Sequence, residues 1–95
     1  MRKNGLKKLA GEGRVAVNAW LSFGSGYLAE VVGHAGYDAV TVDLQHGAFG
    51  FDTAVHLLQA LSSTPAVPLA RCAGLSLPEI NKLLDAFHEL WRINV

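Results

Sequence analysis

The chain has 95 residues, of which 51% are hydrophobic and 17% charged, a composition that excludes a disordered polypeptide. Lys plus Arg number 8 and Asp plus Glu number 8, so no net charge steers the chain toward nucleic acid or an anionic membrane. The one cysteine, Cys72, excludes an internal disulfide and fits a reducing, cytoplasmic setting; no apolar run reaches the ~20 residues of a membrane span.

In chain order, Arg2, Lys3, Lys7 and Lys8 crowd the start. They are expected on the solvated side of a short lead helix over 4–10, ended by Gly11 and Gly13; an organelle leader would be richer in Arg and Ser. Val15–Trp20 (VAVNAW) reads as a first strand. A helix follows over 27–35, with Ser25 as N-cap, Gly36 just past its end, and Tyr27, Leu28, Val31, Val32 and Ala35 as its apolar face. Ala39–Val42 is a second strand, and 44–51 a loop bearing glycines. Asp52 is placed to cap the next helix, over 53–61, whose face is Val55, Leu58 and Leu61 with Ala54 and Leu57 beside it. Val67–Arg71 is a third strand, with Pro68 suited to a strand start. Ser76-Leu77-Pro78-Glu79 has the form of a capping box opening a last helix that carries Ile80, Leu83 and Leu84.

A lead helix followed by three strand–helix units implies an α/β fold with parallel strands, covered on both faces and joined by right-handed crossovers. An open doubly wound sheet and a (β/α) barrel both fit this order. No glycine-rich dinucleotide fingerprint follows the first strand, because Ser22-Phe23-Gly24-Ser25-Gly26 lacks the G-x-G-x-x-G spacing.

In either architecture the working residues stand at the carboxyl ends of strands. Three such ends are visible: Trp20, then Asp43 with His46, then Arg71. Asp43 and His46 suggest a dyad in which a carboxylate orients an imidazole base. Arg71 offers a permanently charged planar fork for a carboxylate or an oxyanion. The alternative is structural: Asp43 caps a loop, His46 bonds a backbone carbonyl, and Arg71 pairs with Asp43. Cys72 reads as a small buried side chain, and His34, His56 and His88 as surface or tail residues. Clustered His, Cys and carboxylates are too few for a complete metal site.

The blocks Asn18-Ala19-Trp20-Leu21-Ser22, Glu30, Ala35-Gly36-Tyr37-Asp38, Val42-Asp43-Leu44-Gln45-His46-Gly47, Pro68-Leu69-Ala70-Arg71 and Leu83-Leu84-Asp85-Ala86 stand in register. Together they resemble the amino-terminal third of the HpcH/HpaI aldolase family, class II pyruvate aldolases of the aldolase/citrate lyase superfamily. The resemblance implies a (β/α)8 TIM barrel, of which residues 1–86 would be an amino-terminal part and 87–95 a divergent tail. It implies metal-dependent retro-aldol cleavage of 4-hydroxy-2-oxo acids to pyruvate and an aldehyde, with Mg²⁺, Mn²⁺ or Co²⁺ chelating the 2-oxo acid. His46 then matches the general base, Asp43 its partner, and Arg71 the group holding the enolate oxygen. Asp85 matches an aspartate near the active site that reaches toward a neighbouring subunit. The family's metal-ligating carboxylates belong to later strands and have no counterpart here.

A barrel of this kind takes ~250 residues, so these residues correspond to well under half of one. The loss of pattern after Ala86 points to a truncated or frameshifted reading frame. The expectation for the chain is therefore an aldolase segment with a 2-oxo acid as its small-molecule partner, without nucleic acid or membrane partners. The competing expectation is a non-catalytic piece that self-associates; a small flavodoxin-like binding module is a third.

Overall fold

In the computed structural model, which describes residues 3–91, the strand Ala39–Asp43 is buried at every position. It is the second of three strands and lies between the other two, Asn18–Leu21 and Val67–Arg71, both parallel to it. The full order is α1 (Gly5–Gly11), β1 (Asn18–Leu21), α2 (Gly26–Gly33), β2 (Ala39–Asp43), α3 (Phe51–Leu61), β3 (Val67–Arg71) and α4 (Leu77–Trp91). The expected parallel α/β arrangement is thus present, with strand order β1-β2-β3.

Alternation along the strands splits the sheet into two unlike faces. One carries Ala19 and Leu21, then Val40 and Val42, then Pro68 and Ala70, in register across the three strands. The helices cover this face. Ala29 of α2, Ala54, Leu57, Leu58 and Leu61 of α3, and Leu83 of α4 join Leu21, Val40 and Val42 in one core. The other face carries Asn18 and Trp20, then Ala39, Thr41 and Asp43, then Val67, Leu69 and Arg71. Here polar groups bond one another across strands, as Thr41 Oγ1 does with the Asn18 side chain. Pro68 is tolerated because Val67 and Arg71 make the bonds to β2, through Asp38 and Leu44, so the missing N–H falls on the outer edge.

Local chemistry sets most of the boundaries. Asn4 accepts from the N–H groups of Leu6 and Lys7 and starts α1. Ser25 caps α2 through the Leu28 N–H, as its sequence position implies. Gly36, at φ +103°, makes the reversal into β2, a conformation that a side chain would strain.

The structure departs from the sequence reading at four places. β1 begins at Asn18 rather than Val15, because the Asp38 carboxylate takes the Val17 N–H and leaves Val15 and Val17 exposed ahead of the sheet. α2 buries Ala29 and Gly33 and packs Leu28 and Val32 of the expected face against the core, while Tyr27, Val31 and Ala35 of that face are exposed. The cause is close approach: a Cβ at Gly33 would lie 2.5 Å from Thr64 Oγ1, so only a small-residue face can seat there. Asp52 does not cap α3; Gly50 holds the cap position and Asp52 sits in the first turn, near the positive end of the helix dipole. At α4 the Glu79 carboxylate reaches past Ser76 to the Ala73 N–H, and the Ser76 carbonyl accepts from Ile80. α4 runs on through Trp91, with Phe87 and Leu90 packed against the core. Residues 92–95 of the expected tail lie outside the described residues. Among the described residues no helix is long and apolar enough to cross a membrane.

Two substitutions test this packing. Leu57→Ala removes a fully buried side chain from α3 and is expected to destabilise the fold by about 2–5 kcal/mol. Gly33→Ala forces α2 off Thr64 and is expected to cost about 1–3 kcal/mol even though it raises helix propensity. Urea unfolding midpoints measure both, and a Gly33→Ala variant more stable than the wild type would contradict the close approach.

Candidate active site

The carboxyl ends of β2 and β3 bring Asp43 and Arg71 into direct register. Both side chains fall on the sheet face opposite the aliphatic core, and so does Trp20 of β1, which is in register with Thr41. The Asp43 carboxylate is buried, at 2% exposure, and both of its oxygens are engaged. Oδ1 accepts from the backbone N–H groups of Gln45 at 3.0 Å and His46 at 3.3 Å, and from Arg71 Nε at 2.9 Å. Oδ2 accepts from Trp20 Nε1 at 3.0 Å and Arg71 Nη2 at 2.7 Å. The Arg71 contact is a two-pronged, charge-assisted pair, the strong form of this interaction. The guanidinium also stands over the Trp20 ring, 5.0 Å from its centroid.

These contacts set the charge state. The Arg71 guanidinium holds the Asp43 carboxyl well below the usual carboxylate range, against the opposing effect of burial; the Trp20 N–H and the His46 and Gln45 amides add to the lowering. Arg71 is in turn pushed above its ordinary value, chiefly by its hydrogen bonds to Asp43.

The loop after β2 is shaped by the same carboxylate. By accepting from Gln45 and His46, Asp43 folds the chain into a tight turn of the Asx kind. The Gly47 N–H closes the turn on the Asp43 carbonyl at 3.1 Å. A Cβ at Gly47 would run into that carbonyl oxygen and lie 2.9 Å from the Phe49 ring, so the position accepts only glycine. Ala48 N–H then bonds the Ser22 carbonyl at 2.9 Å, tying this loop to the one after β1. His46 is left exposed on a turn with little freedom.

The structure thus brings together Asp43, Arg71 and the His46 loop, as the strand-end argument expects. Asp43 meets His46 through the backbone N–H rather than the imidazole. It both caps the loop and pairs with Arg71, which are two of the structural roles that the spacing allowed. Asp85 stands apart. It is exposed on α4, eight residues past Leu77 and so about 12 Å along the helix, and among the described residues it makes no hydrogen bond or ion pair with Asp43, His46 or Arg71. Cys72 is half-buried and packs against the core. Trp20 stands at a strand end that the sequence indicates, and its bond to Asp43 is the contact that the sequence reading does not include. The signal was available, because alternation back from the strand end puts it on the face of Asp43.

Among the described residues no three His, Cys, Asp or Glu side chains gather closely enough to hold a metal ion. The buried carboxylate of Asp43 already serves donors on both oxygens. These side chains do not by themselves fit a divalent metal.

Because Asp43 titrates lower in the folded state, its contribution to stability is complete above the unfolded carboxylate pKa of about 3.9 and is lost as pH falls below it. Asp43→Asn should therefore lower stability at neutral pH and flatten the acid limb of a plot of unfolding midpoint against pH. An acid limb of unchanged slope would show that the pair does not govern it. Gly47→Ala should shift the amide resonances of Gln45 and His46 more than those of the α3 core, since the strain falls on the turn.

No protein-family model matches the chain. Individual relatives do. It is 36% identical over 69 residues to the hydroxypyruvate/pyruvate aldolase of Cupriavidus necator, covering 73% of this chain and 26% of that enzyme. It is 32% identical over 83 residues to the 4-hydroxy-2-oxo-heptane-1,7-dioate aldolase of Salmonella dublin, covering 87% and 32%. Among solved structures it matches an HpcH/HpaI aldolase/citrate lyase family protein from Burkholderia cenocepacia with TM-score 0.79 and 30% identity, over 87% of this chain and 34% of that one. Citrate synthase SbnG follows at TM-score 0.78 and 28% identity, over 86% and 34%. The chain spans about a third of the length of the relatives it matches. In sequence and in fold, over that third, it belongs to the HpcH/HpaI aldolase/citrate lyase family.

Proposed function

We propose that these residues supply the base and the anion-holding arginine of a carbon–carbon lyase that cleaves 4-hydroxy-2-oxo acids to pyruvate and an aldehyde. The observation that carries the reading is the Asp43–Arg71 pair at the ends of two adjacent parallel strands, with His46 fixed three residues beyond on a glycine-closed turn. The aldolase names of the relatives support it. So does the citrate synthase in the structural comparison, since making and breaking a carbon–carbon bond beside a carbonyl both pass through an enolate.

In this reading the His46 imidazole takes the proton of the substrate's C4 hydroxyl. The C3–C4 bond breaks, the aldehyde leaves, and the electron pair moves into the enolate of pyruvate, whose C3 then takes up a proton to give pyruvate. Arg71 holds the developing oxyanion with N–H groups not engaged by Asp43. Asp43 keeps the guanidinium aimed and the His46 turn closed. Asp85 joins the site only across a contact with a second subunit. The family resemblance implies a divalent metal, Mg²⁺, Mn²⁺ or Co²⁺; a donor set for it would lie outside the described residues, and the three strands would form one arc of a (β/α)8 barrel.

A second reading has its own support. β1 and β3 are the outer strands of this sheet, and on the face away from the core Trp20 is 49% and Leu69 37% exposed. Leu75 and Leu77 are also exposed. Unpaired edges and wet apolar side chains favour association, so the chain alone would self-associate without catalysis.

Two measurements separate the readings. The purified 95-residue chain, with Mg²⁺, Mn²⁺ or Co²⁺ added, is expected to release no pyruvate from a 4-hydroxy-2-oxo acid and to show an apparent mass that rises with concentration in light scattering. Metal-dependent release by this chain would show that its own residues suffice. In a longer protein carrying this sequence, His46→Ala should lower kcat by roughly 10²–10⁴-fold with KM little changed; unchanged turnover would remove His46 from the chemistry. Arg71→Lys should be damaging there as well, because a point charge does not reproduce the fork.

A further inference from the structure

We infer that Trp20 is a positioning residue for Arg71, holding the guanidinium in the orientation in which it meets the oxygens of a 2-oxo acid. The inference rests on the 2-oxo acid reading of Arg71 and adds a residue to it. One indole contacts both members of the pair. Its N–H donates to Asp43 Oδ2, the same oxygen that binds Arg71 Nη2, and its ring face lies 5.0 Å from the guanidinium carbon. The three side chains come from three strands, so Trp20 ties β1 to a pair that spans β2 and β3.

The burial argues against a packing role. Trp20 is 49% exposed, and neither the core nor the side chains packed against it include it. A tryptophan kept half in water, with its N–H and its ring face both committed to one ion pair, orients that pair. Rotation about the Arg71 Cζ–Nε bond would exchange Nη2 for Nη1 at Asp43 Oδ2. The ring beneath the guanidinium and the second donor on Oδ2 both oppose that exchange. Among the described residues Nη1 has no partner, so its hydrogens remain for a ligand oxygen.

The test uses the 95-residue chain with Trp20→Leu, which removes both contacts, and Trp20→Phe, which keeps the ring and removes the N–H. The first readout is the Arg71 guanidinium in nitrogen-15 NMR. The wild type should show separate Nη1 and Nη2 signals, and Trp20→Leu should merge them. The second is the affinity for oxalate, a stable analogue of the pyruvate enolate, followed by chemical shift. It should weaken by about threefold or more in Trp20→Leu, with Trp20→Phe in between. Separate Arg71 signals and wild-type oxalate affinity in Trp20→Leu would overturn the inference. If Trp20→Leu does not fold, Trp20→Phe decides: the inference fails if its oxalate affinity and its Asp43 titration both match the wild type. A wild-type chain that binds no oxalate strikes the 2-oxo acid reading instead, while the Arg71 signals, read without ligand, still decide the role of Trp20.

Discussion

The Asp43 carboxylate is the constraint on which the functional end of this fold depends. A buried carboxylate without partners would take up a proton or unfold its surroundings. This one stays ionised because Arg71 meets it with two N–H groups from the neighbouring strand. The same group closes the turn that carries His46 and receives the Trp20 N–H. Removing Arg71 would not merely delete a surface ion pair, which is worth little. It would leave an uncompensated charge at the end of a strand buried at every position.

That constraint explains why the residues following β2 have the character they do. The turn needs an acceptor at its start, two free N–H groups after it, and a residue without Cβ where the chain passes its own carbonyl. Asp43, Gln45 and His46, and Gly47 meet those needs in turn. The turn uses only the backbone N–H groups of Gln45 and His46, so the imidazole is left out of it. A titratable group left free on a rigid support, beside an oriented arginine, is what proton-transfer chemistry requires.

Much of this was legible in the sequence, and the limits have physical causes. β2 and β3 could be placed because β-branched, apolar runs between turn residues leave little choice. The convergence of Asp43 and Arg71 followed from parallel pairing alone. β1 starts later than its apolar run because Val15 and Val17 carry the same apolar signal as a strand, yet Asp38 holds the chain there outside the ladder. Of the apolar face expected on α2, Leu28 and Val32 do pack inward, whereas Tyr27 and Val31 do not, because periodicity counts large side chains while close contact with Thr64 selects small ones. Spacing alone suggests a dyad of Asp43 with the His46 imidazole. A backbone N–H three residues on is an equally good partner for a carboxylate, and here it is the one used. Trp20 is recognisable as a strand end and alternation puts it on the face of Asp43, but nothing local marks its indole as the hydrogen-bond donor to a residue 23 positions away.

The two faces of the sheet show why stability and chemistry meet at one pair rather than competing across the molecule. The helix-covered face is closed with aliphatic side chains and leaves no polar group to work with. The other face holds its polar groups by cross-strand bonds, Asn18 to Thr41, Trp20 to Asp43, and Arg71 to Asp43. Each of these removes a polar group from water and could be an obligation only. Arg71 is different, because a guanidinium carries five N–H donors and Asp43 takes two of them. The remaining donors belong to a group whose charge is permanent and whose plane is set by its structural role. An anion arriving at the strand ends meets a partner already oriented, without the entropy that ordering a free arginine would require. The site's readiness to bind is therefore a by-product of the contact that keeps Asp43 charged, and any change that loosens one loosens the other.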